Sequence, residues 1–177
     1  VVRTLPAVCA LRARHPGSHL TWLVEPASAA VVAGSGYVDE TLVFPRSGLA
    51  RAARRGDLFG FVTLARRFFR RLRARRFELV FDFHGLLKSG LFAFISGSTI
   101  RVGFGFGTAR EGSALFSNER VDPSPAHTSR YARNAALVRA VALAAAIPDG
   151  PLLAASSEAR ERLSAALDAS GRSGTRG

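Results

Sequence analysis

A chain of 177 residues that is 47% hydrophobic is long enough to bury a substantial core in one domain, and its formal net charge of +12 points to polyanionic partners: nucleic acid, an anionic membrane surface or phosphorylated substrates. One cysteine, Cys9, excludes an intramolecular disulfide and is too few thiols for a structural metal site, which suits a reducing compartment, with Cys9 itself read as a small buried apolar residue. No apolar run approaches the roughly 18 residues of a membrane span.

The elements follow from periodicity. Val2, Leu5, Val8, Cys9 and Leu11 recur at helical spacing up to Pro16-Gly17. His19 to Val24 reads as a strand, Ala27 to Ala33 as a short helix ended by Gly34-Ser35-Gly36, and Thr41 to Phe44 as a strand stopped by Pro45. From Leu58 to Arg76, residues Phe61, Leu64, Ala65, Phe68 and Leu72 share one face, predicting an amphipathic helix. Phe77 to Phe83 is a nearly unbroken apolar strand, followed through Gly85 by a helix start at Leu86 to Phe92. Ile100 to Phe104 makes a further strand and His127 to Ile147 a long Ala-rich helix. Strands alternating with helices predict an α/β, Rossmann-like, doubly wound parallel sheet. Pro148-Asp149-Gly150-Pro151 reads as a linker, Ser157 to Ala169 as a polar helix capped by Ser157, and Ser170 to Gly177 as a Gly/Ser/Arg-rich tail. The expected organisation is therefore a domain over 1–147 and a linker and tail over 148–177.

Chemistry concentrates in Asp82-Phe83-His84-Gly85-Leu86-Leu87-Lys88-Ser89, where Lys88 is the only lysine among 25 cationic residues. Asp82, His84, Lys88 and Ser89 are expected at a strand's carboxyl end and the start of the next helix. That edge is where ligands bind in open α/β sheets, and first-turn amides favour anions. The competing reading is a surface cation beside an Asp cap. Gly103-Phe104-Gly105-Phe106-Gly107 lacks the G-x-G-x-x-G spacing of a dinucleotide site and reads as a flexible strand-to-loop exit. Arg66, Arg67, Arg70, Arg71, Arg73, Arg75 and Arg76, with Phe68, Phe69 and Leu72 between, carry a membrane-surface or nucleic-acid composition, or else form the solvated outer face of a core helix. No helix-turn-helix or RNP aromatic pattern accompanies them, so nucleic acid is not the expected partner.

Five segments in register carry a resemblance: Thr4-Leu5-Pro6-Ala7; Trp22-Leu23-Val24-Glu25-Pro26; Asp82 to Ser89; Thr108-Ala109-Arg110-Glu111-Gly112 with Leu115-Phe116 and Asn118; and His127 with Arg130-Tyr131. In order and spacing the chain resembles the amino-terminal half of the bacterial lipopolysaccharide heptosyltransferases, closest to type I, of glycosyltransferase family 9. The resemblance implies a two-domain GT-B fold and inverting transfer of L-glycero-D-manno-heptose from ADP-heptose to Kdo of a lipid A acceptor. It places the enzyme in the cytoplasm, peripheral on the inner face of the inner membrane, with no metal and no cofactor beyond the donor substrate. Partners implied are the Kdo-lipid A acceptor, the anionic membrane surface and a carboxyl-terminal nucleotide-sugar domain.

Acceptor-binding residues implied are Lys88, Arg110, Glu111, His127, Arg130, Asp82, His84 and Ser89, together with Arg51, Arg54 and Arg55. Lys88 would meet a carboxylate or phosphate as a point charge, Arg110 as a two-pronged donor held by Glu111. The family pattern departs in Arg3, where histidine is usual, and His84, where glutamine is usual, and its general-base aspartate would precede Val1. With no methionine and Val1 at its start, the chain is expected to be a fragment that lacks the first strand, the catalytic base and the donor domain, inactive alone and poorly soluble. The alternative is a non-catalytic domain that binds an anionic glycolipid or nucleic acid.

Overall fold

The structure, a computed structural model, describes residues 1–125 and 129–142. After a 3-10 turn at Val2–Thr4, the order is α1 (Leu5–Arg14), β1 (Thr21–Val24), α2 (Pro26–Ala33), β2 (Glu40–Val43), α3 (Arg46–Arg54), α4 (Leu58–Ala74), β3 (Leu79–Asp82), α5 (Leu87–Ile95), β4 (Ile100–Phe104), a 3-10 turn at Ser113–Phe116, β5 (Glu119–Val121) and α6 (Arg130–Ala142). Among the described residues all strand pairing is parallel, as the alternation of strands and helices predicts. The sheet is divided, however: β1 pairs with β2, and separately β3, β4 and β5 pair in that order. The single expected sheet therefore resolves into two, with β1 and β3 each hydrogen-bonded on one side only among the described strands.

Three apolar clusters hold the layers. Ala7, Ala10 and Leu11 of α1 pack with Val138 of α6, against Phe81 and Phe83. Phe68 and Leu72 of α4 cover Leu42 of β2, with Phe44 and Phe92 alongside. Leu137 of α6 meets Val102 and Phe104 of β4. Helices thus cover the strands through long-range apolar contact, the arrangement that parallel strands require. The predicted apolar face of α4 is only partly buried, since Phe68 and Leu72 are in the core while Phe61 is 37% exposed.

Several expectations change. Strand β4 has the expected bounds, β2 has the expected length but begins one residue earlier, at Glu40, and β1 and β3 are shorter than their apolar runs because only the paired residues lie in ladders. Helix α3 and strand β5 go beyond the expected elements: α3 is a short arginine-alanine segment and β5 three residues without an apolar run. Gly103 is not a flexible exit but a ladder residue between Asp82 and Arg120. A side chain there would collide with Ser117 Oγ, and one at Gly105 with the Asp122 carboxylate, so these glycines serve close packing. Cys9 is half-buried rather than in the core, and its thiol beside Tyr37 raises the Tyr37 pKa. The expected linker, polar helix and tail from Pro148 onward lie outside the described residues.

Ion pairs tie the outer strands down. Arg12 bonds Asp39 at 2.5 Å, and Arg75 of the α4 cap pairs with Glu40 at the start of β2, its Nε donating at 2.8 Å. The Arg75 hydrogen bond holds the Glu40 carboxyl below its usual range, and the Leu20 amide and then Arg12 do the same for Asp39. A carboxyl whose pKa is lower folded than unfolded contributes stability above its unfolded value near pH 4.5 and loses it as pH falls through the folded value. Thermal midpoints are therefore expected to drop as pH is lowered below about 4.5, and Glu40→Gln to flatten that decline while lowering the midpoint at pH 7. A variant whose acid limb matches the parent's would show the pair to be inert.

Candidate functional site at the carboxyl ends of the strands

Five strand exits are gathered at one edge of the molecule. Asp82 closes β3 and is buried, and its Oδ1 accepts the amides of His84 at 2.9 Å and Gly85 at 3.1 Å. This Asx-type turn is why the chain reverses here. Gly85 is required: its φ is +67°, and a Cβ would sit 2.9 Å from the Phe104 ring. Ser89 Oγ accepts the Leu86 amide at 3.2 Å and donates to the Leu86 carbonyl, fixing the start of α5. Asp82 and Ser89 thus build the turn, and His84 is carried on it, exposed.

Lys88, in the first turn of α5, reaches to the exit of β1. Its Nζ donates to Glu25 Oε1 at 2.6 Å, and Arg46, just after β2, donates to Glu25 Oε2 at 2.6 Å. The Lys88 ammonium lies 4.5 Å from the Phe44 ring centroid and 5.9 Å from that of Phe92, rings themselves 5.0 Å apart. Lys88 keeps 49% of its side chain exposed, so it is a cation held at an open surface by a carboxylate and an aromatic floor. The hydrogen bond from Lys88, then that from Arg46, holds the Glu25 carboxyl below its usual range, so Glu25 stays ionised at neutral pH.

The exit of β4 docks beside it. The Arg110 amide donates to the Gly85 carbonyl at 2.9 Å, and Glu111 Oε2 accepts the Leu87 amide at 3.3 Å. Glu111 has φ +54°, a conformation uncommon outside glycine, followed by Gly112 at +75°. The expected Glu111–Arg110 pairing is therefore replaced: the Glu111 carboxylate caps an orphan amide at the start of α5, where the helix end favours negative charge. Arg110 is exposed, and among the described residues its guanidinium makes no ion pair. The exit of β5 follows, with Asp122 against Gly105 and Gly107.

Arg130 begins α6 beyond the β5 exit and is exposed, while buried Asn134, one turn on, donates to the Arg3 carbonyl and Thr4 Oγ1, both at 3.1 Å. Arg51, Arg54 and Arg55 lie at the far end of α3, exposed and without ion pairs among the described residues. His127 lies outside the described residues. The structure thus joins Asp82, His84, Lys88, Ser89, Arg110 and Glu111 into one patch; among the described residues no side-chain bond ties Arg130, Arg51, Arg54 or Arg55 to it. Sequence reasoning missed Glu25 and Arg46, although each closely follows a strand, in the position that makes Asp82 and His84 noticeable.

The patch is a shelf of cations, Lys88, Arg46 and Arg110, with Glu25 fixing two of them, and its chemistry is recognition of an anion by point charge and by planar guanidinium. Among the described residues no group of three or more His, Cys, Asp or Glu is placed to hold a metal ion.

Residues 65–173 match the sequence profile of glycosyltransferase family 9 (heptosyltransferase). A search of curated proteins finds no match. Among solved structures, the chain is similar to the E. coli heptosyltransferase WaaC with ADP, at TM-score 0.71 and 22% identity over 85% of this chain and 47% of that one. The same protein with ADP-2-deoxy-2-fluoro heptose matches at TM-score 0.70 and 22% identity, over 84% and 46%. The chain therefore spans about half the length of the structures it matches, and its fold is that of the amino-terminal half of the GT-B architecture.

Proposed function

Because the chain belongs to glycosyltransferase family 9, the heptosyltransferase family, we propose that it forms the acceptor-binding half of an enzyme that moves L-glycero-D-manno-heptose from ADP-heptose to Kdo of a lipid A acceptor. The observation that carries this reading is the convergence of four strand exits into a cationic shelf, in which Glu25 and Phe44 hold Lys88, Glu25 holds Arg46, and the Gly85 carbonyl anchors the backbone of Arg110. Kdo bears a carboxylate and lipid A bears phosphates. Arg110 offers two parallel donors to such groups, and Lys88 a compact charge. With Glu25 ionised, the ammonium is oriented before the ligand arrives, so less ordering is left to binding.

Transfer of heptose with inversion needs a base for the attacking hydroxyl and stabilisation of the departing ADP. This reading assigns both to segments other than these 177 residues, so the isolated chain is expected to bind acceptor without transferring sugar. It also places the enzyme in the cytoplasm, peripheral on the inner membrane and active in assembling the lipopolysaccharide inner core, with ADP-heptose as the donor and no cofactor.

In the two-domain enzyme, incubation with ADP-heptose and Kdo-lipid A is expected to release ADP and add one heptose to the acceptor by mass. Arg110→Ala is expected to raise KM for acceptor about tenfold while leaving KM for donor unchanged. No transfer to a Kdo-bearing acceptor, or a rise confined to donor KM, would reject the assignment.

A further inference from the structure

Helices α3 and α4 form a hairpin whose tip is chemically unlike the rest of the surface. The chain turns through Arg55-Gly56-Asp57, with Gly56 at φ +67° and Asp57 Oδ1 accepting the Gly60 amide at 2.7 Å. Directly at the turn Leu58 is 74% exposed and Phe59 84% exposed, with Val62 exposed one turn further. Up the same outer face, a depression of about 770 Å³ is lined by Phe59, Val62, Thr63, Arg66, Arg70 and Ala74. Arg66, Arg67, Arg70 and Arg71 are exposed, and none makes an ion pair among the described residues. Asp57 is the one carboxylate between Arg46 and Arg76, and it is committed to the Gly60 amide.

We propose that this tip is a docking surface for an anionic lipid bilayer, with Leu58 and Phe59 entering the interface and the four arginines meeting lipid phosphates. Helical rise sets Arg66 to Arg71 about 10–18 Å along the axis from Phe59, more than the roughly 5–8 Å of headgroup layer outside the hydrocarbon, so α4 enters tilted and its arginine side chains, which lean toward the helix start, reach back to the phosphates. The opposite, apolar side of α4 is spent on the core, where Phe68 and Leu72 cover Leu42, so the helix cannot lie flat on its hydrophobic face. It presents its amino-terminal end instead. Arginine stems run along apolar surface while their heads stay with phosphate, which suits a helix tilted into the headgroup layer by its amino-terminal end. Nucleic acid would satisfy the arginines but gives Leu58 no apolar phase to enter. Among the described residues no helix is long and apolar enough to cross a membrane, so the attachment is at the surface.

The probe is Phe59→Trp in the full 177-residue chain, mixed with vesicles of phosphatidylglycerol and phosphatidylethanolamine carrying brominated acyl chains. Trp22, on β1, is the one tryptophan of the parent chain, whose emission serves as the reference. Emission from the introduced indole is expected to shift blue and be quenched by these vesicles and not by phosphatidylcholine vesicles. Leu58→Ser with Phe59→Ser is expected to weaken binding about tenfold or more, with unchanged circular dichroism because both side chains are exposed. Neutralising Arg66, Arg67, Arg70 and Arg71 to glutamine is expected to weaken it comparably. Bound chain whose introduced indole stays unquenched, a serine variant that binds like the parent, or tighter binding to mixed-sequence DNA than to vesicles would overturn the proposal. No sugar donor or acceptor enters the experiment, so it stands or falls separately from heptosyl transfer.

Discussion

Lys88→Met in the two-domain enzyme is expected to lower kcat/KM for an anionic acceptor about 100-fold while changing stability by less than about 1 kcal/mol. Methionine retains the stem that passes over Phe44 and Phe92, so the aromatic floor keeps its cover. The charge is what disappears. Glu25 is 41% exposed and keeps Arg46 at 2.6 Å, so no carboxylate is stranded in the core, and the ion pair itself is of the surface kind that contributes little to folding. Activity and stability are thus separated by the one substitution. Thermal midpoint and steady-state kinetics on the same preparation read both: a loss of activity below about threefold, at unchanged midpoint, would make Lys88 a surface cation with no part in binding. Glu25→Gln is the companion variant, since it releases Lys88 and Arg46 without removing either, and its expected effect is smaller and confined to KM for acceptor.

Leu137→Ala is expected to cost about 2–5 kcal/mol of folding stability, a large share of the roughly 5–15 kcal/mol of a domain this size. Leu137 has no exposure and meets Val102 and Phe104, so it joins α6 to the middle strand of the three-stranded sheet. Its removal leaves a cavity between α6 and β4, and α6 stays anchored to the amino-terminal segment through buried Asn134 and the α1 contacts of Val138, which limits collapse around the gap. A urea titration should show a lower midpoint with an unchanged slope. A loss under about 1 kcal/mol would mean that α6 is not held against β4. Phe59→Ala provides the contrast: at 84% exposure its removal is expected to change stability by no more than about 0.5 kcal/mol.

Much of the site is legible in the sequence. The unbroken apolar run ahead of Asp82 marks a covered parallel strand, Gly85 marks a turn that only glycine tolerates, and a lone lysine in an arginine-rich chain marks the helix start. The five segments in register point to the family that the match over residues 65–173 shows. Less legible are α3 and β5, because an arginine-alanine stretch has no apolar stripe and a three-residue strand has no period to detect. Adjacency in sequence pairs Glu111 with Arg110; its left-handed backbone turns it instead to the Leu87 amide.

By itself, the sequence determined what is local: the period of each element, the turn chemistry around Asp82 and Gly85, the cationic balance, and the family carried by short motifs in order. Tertiary structure alone decided that Lys88 meets Glu25 across 63 positions, that Arg46 shares that carboxylate, that the strands divide into two sheets, and that Leu58 and Phe59 face water while Phe68 and Leu72 do not. The reason is physical. Hydrophobic periodicity reports which side of an element is apolar, but which strand lies beside which, and which exits meet, follows from the packing of helices on both sides of parallel strands, a set of contacts between residues far apart in the chain.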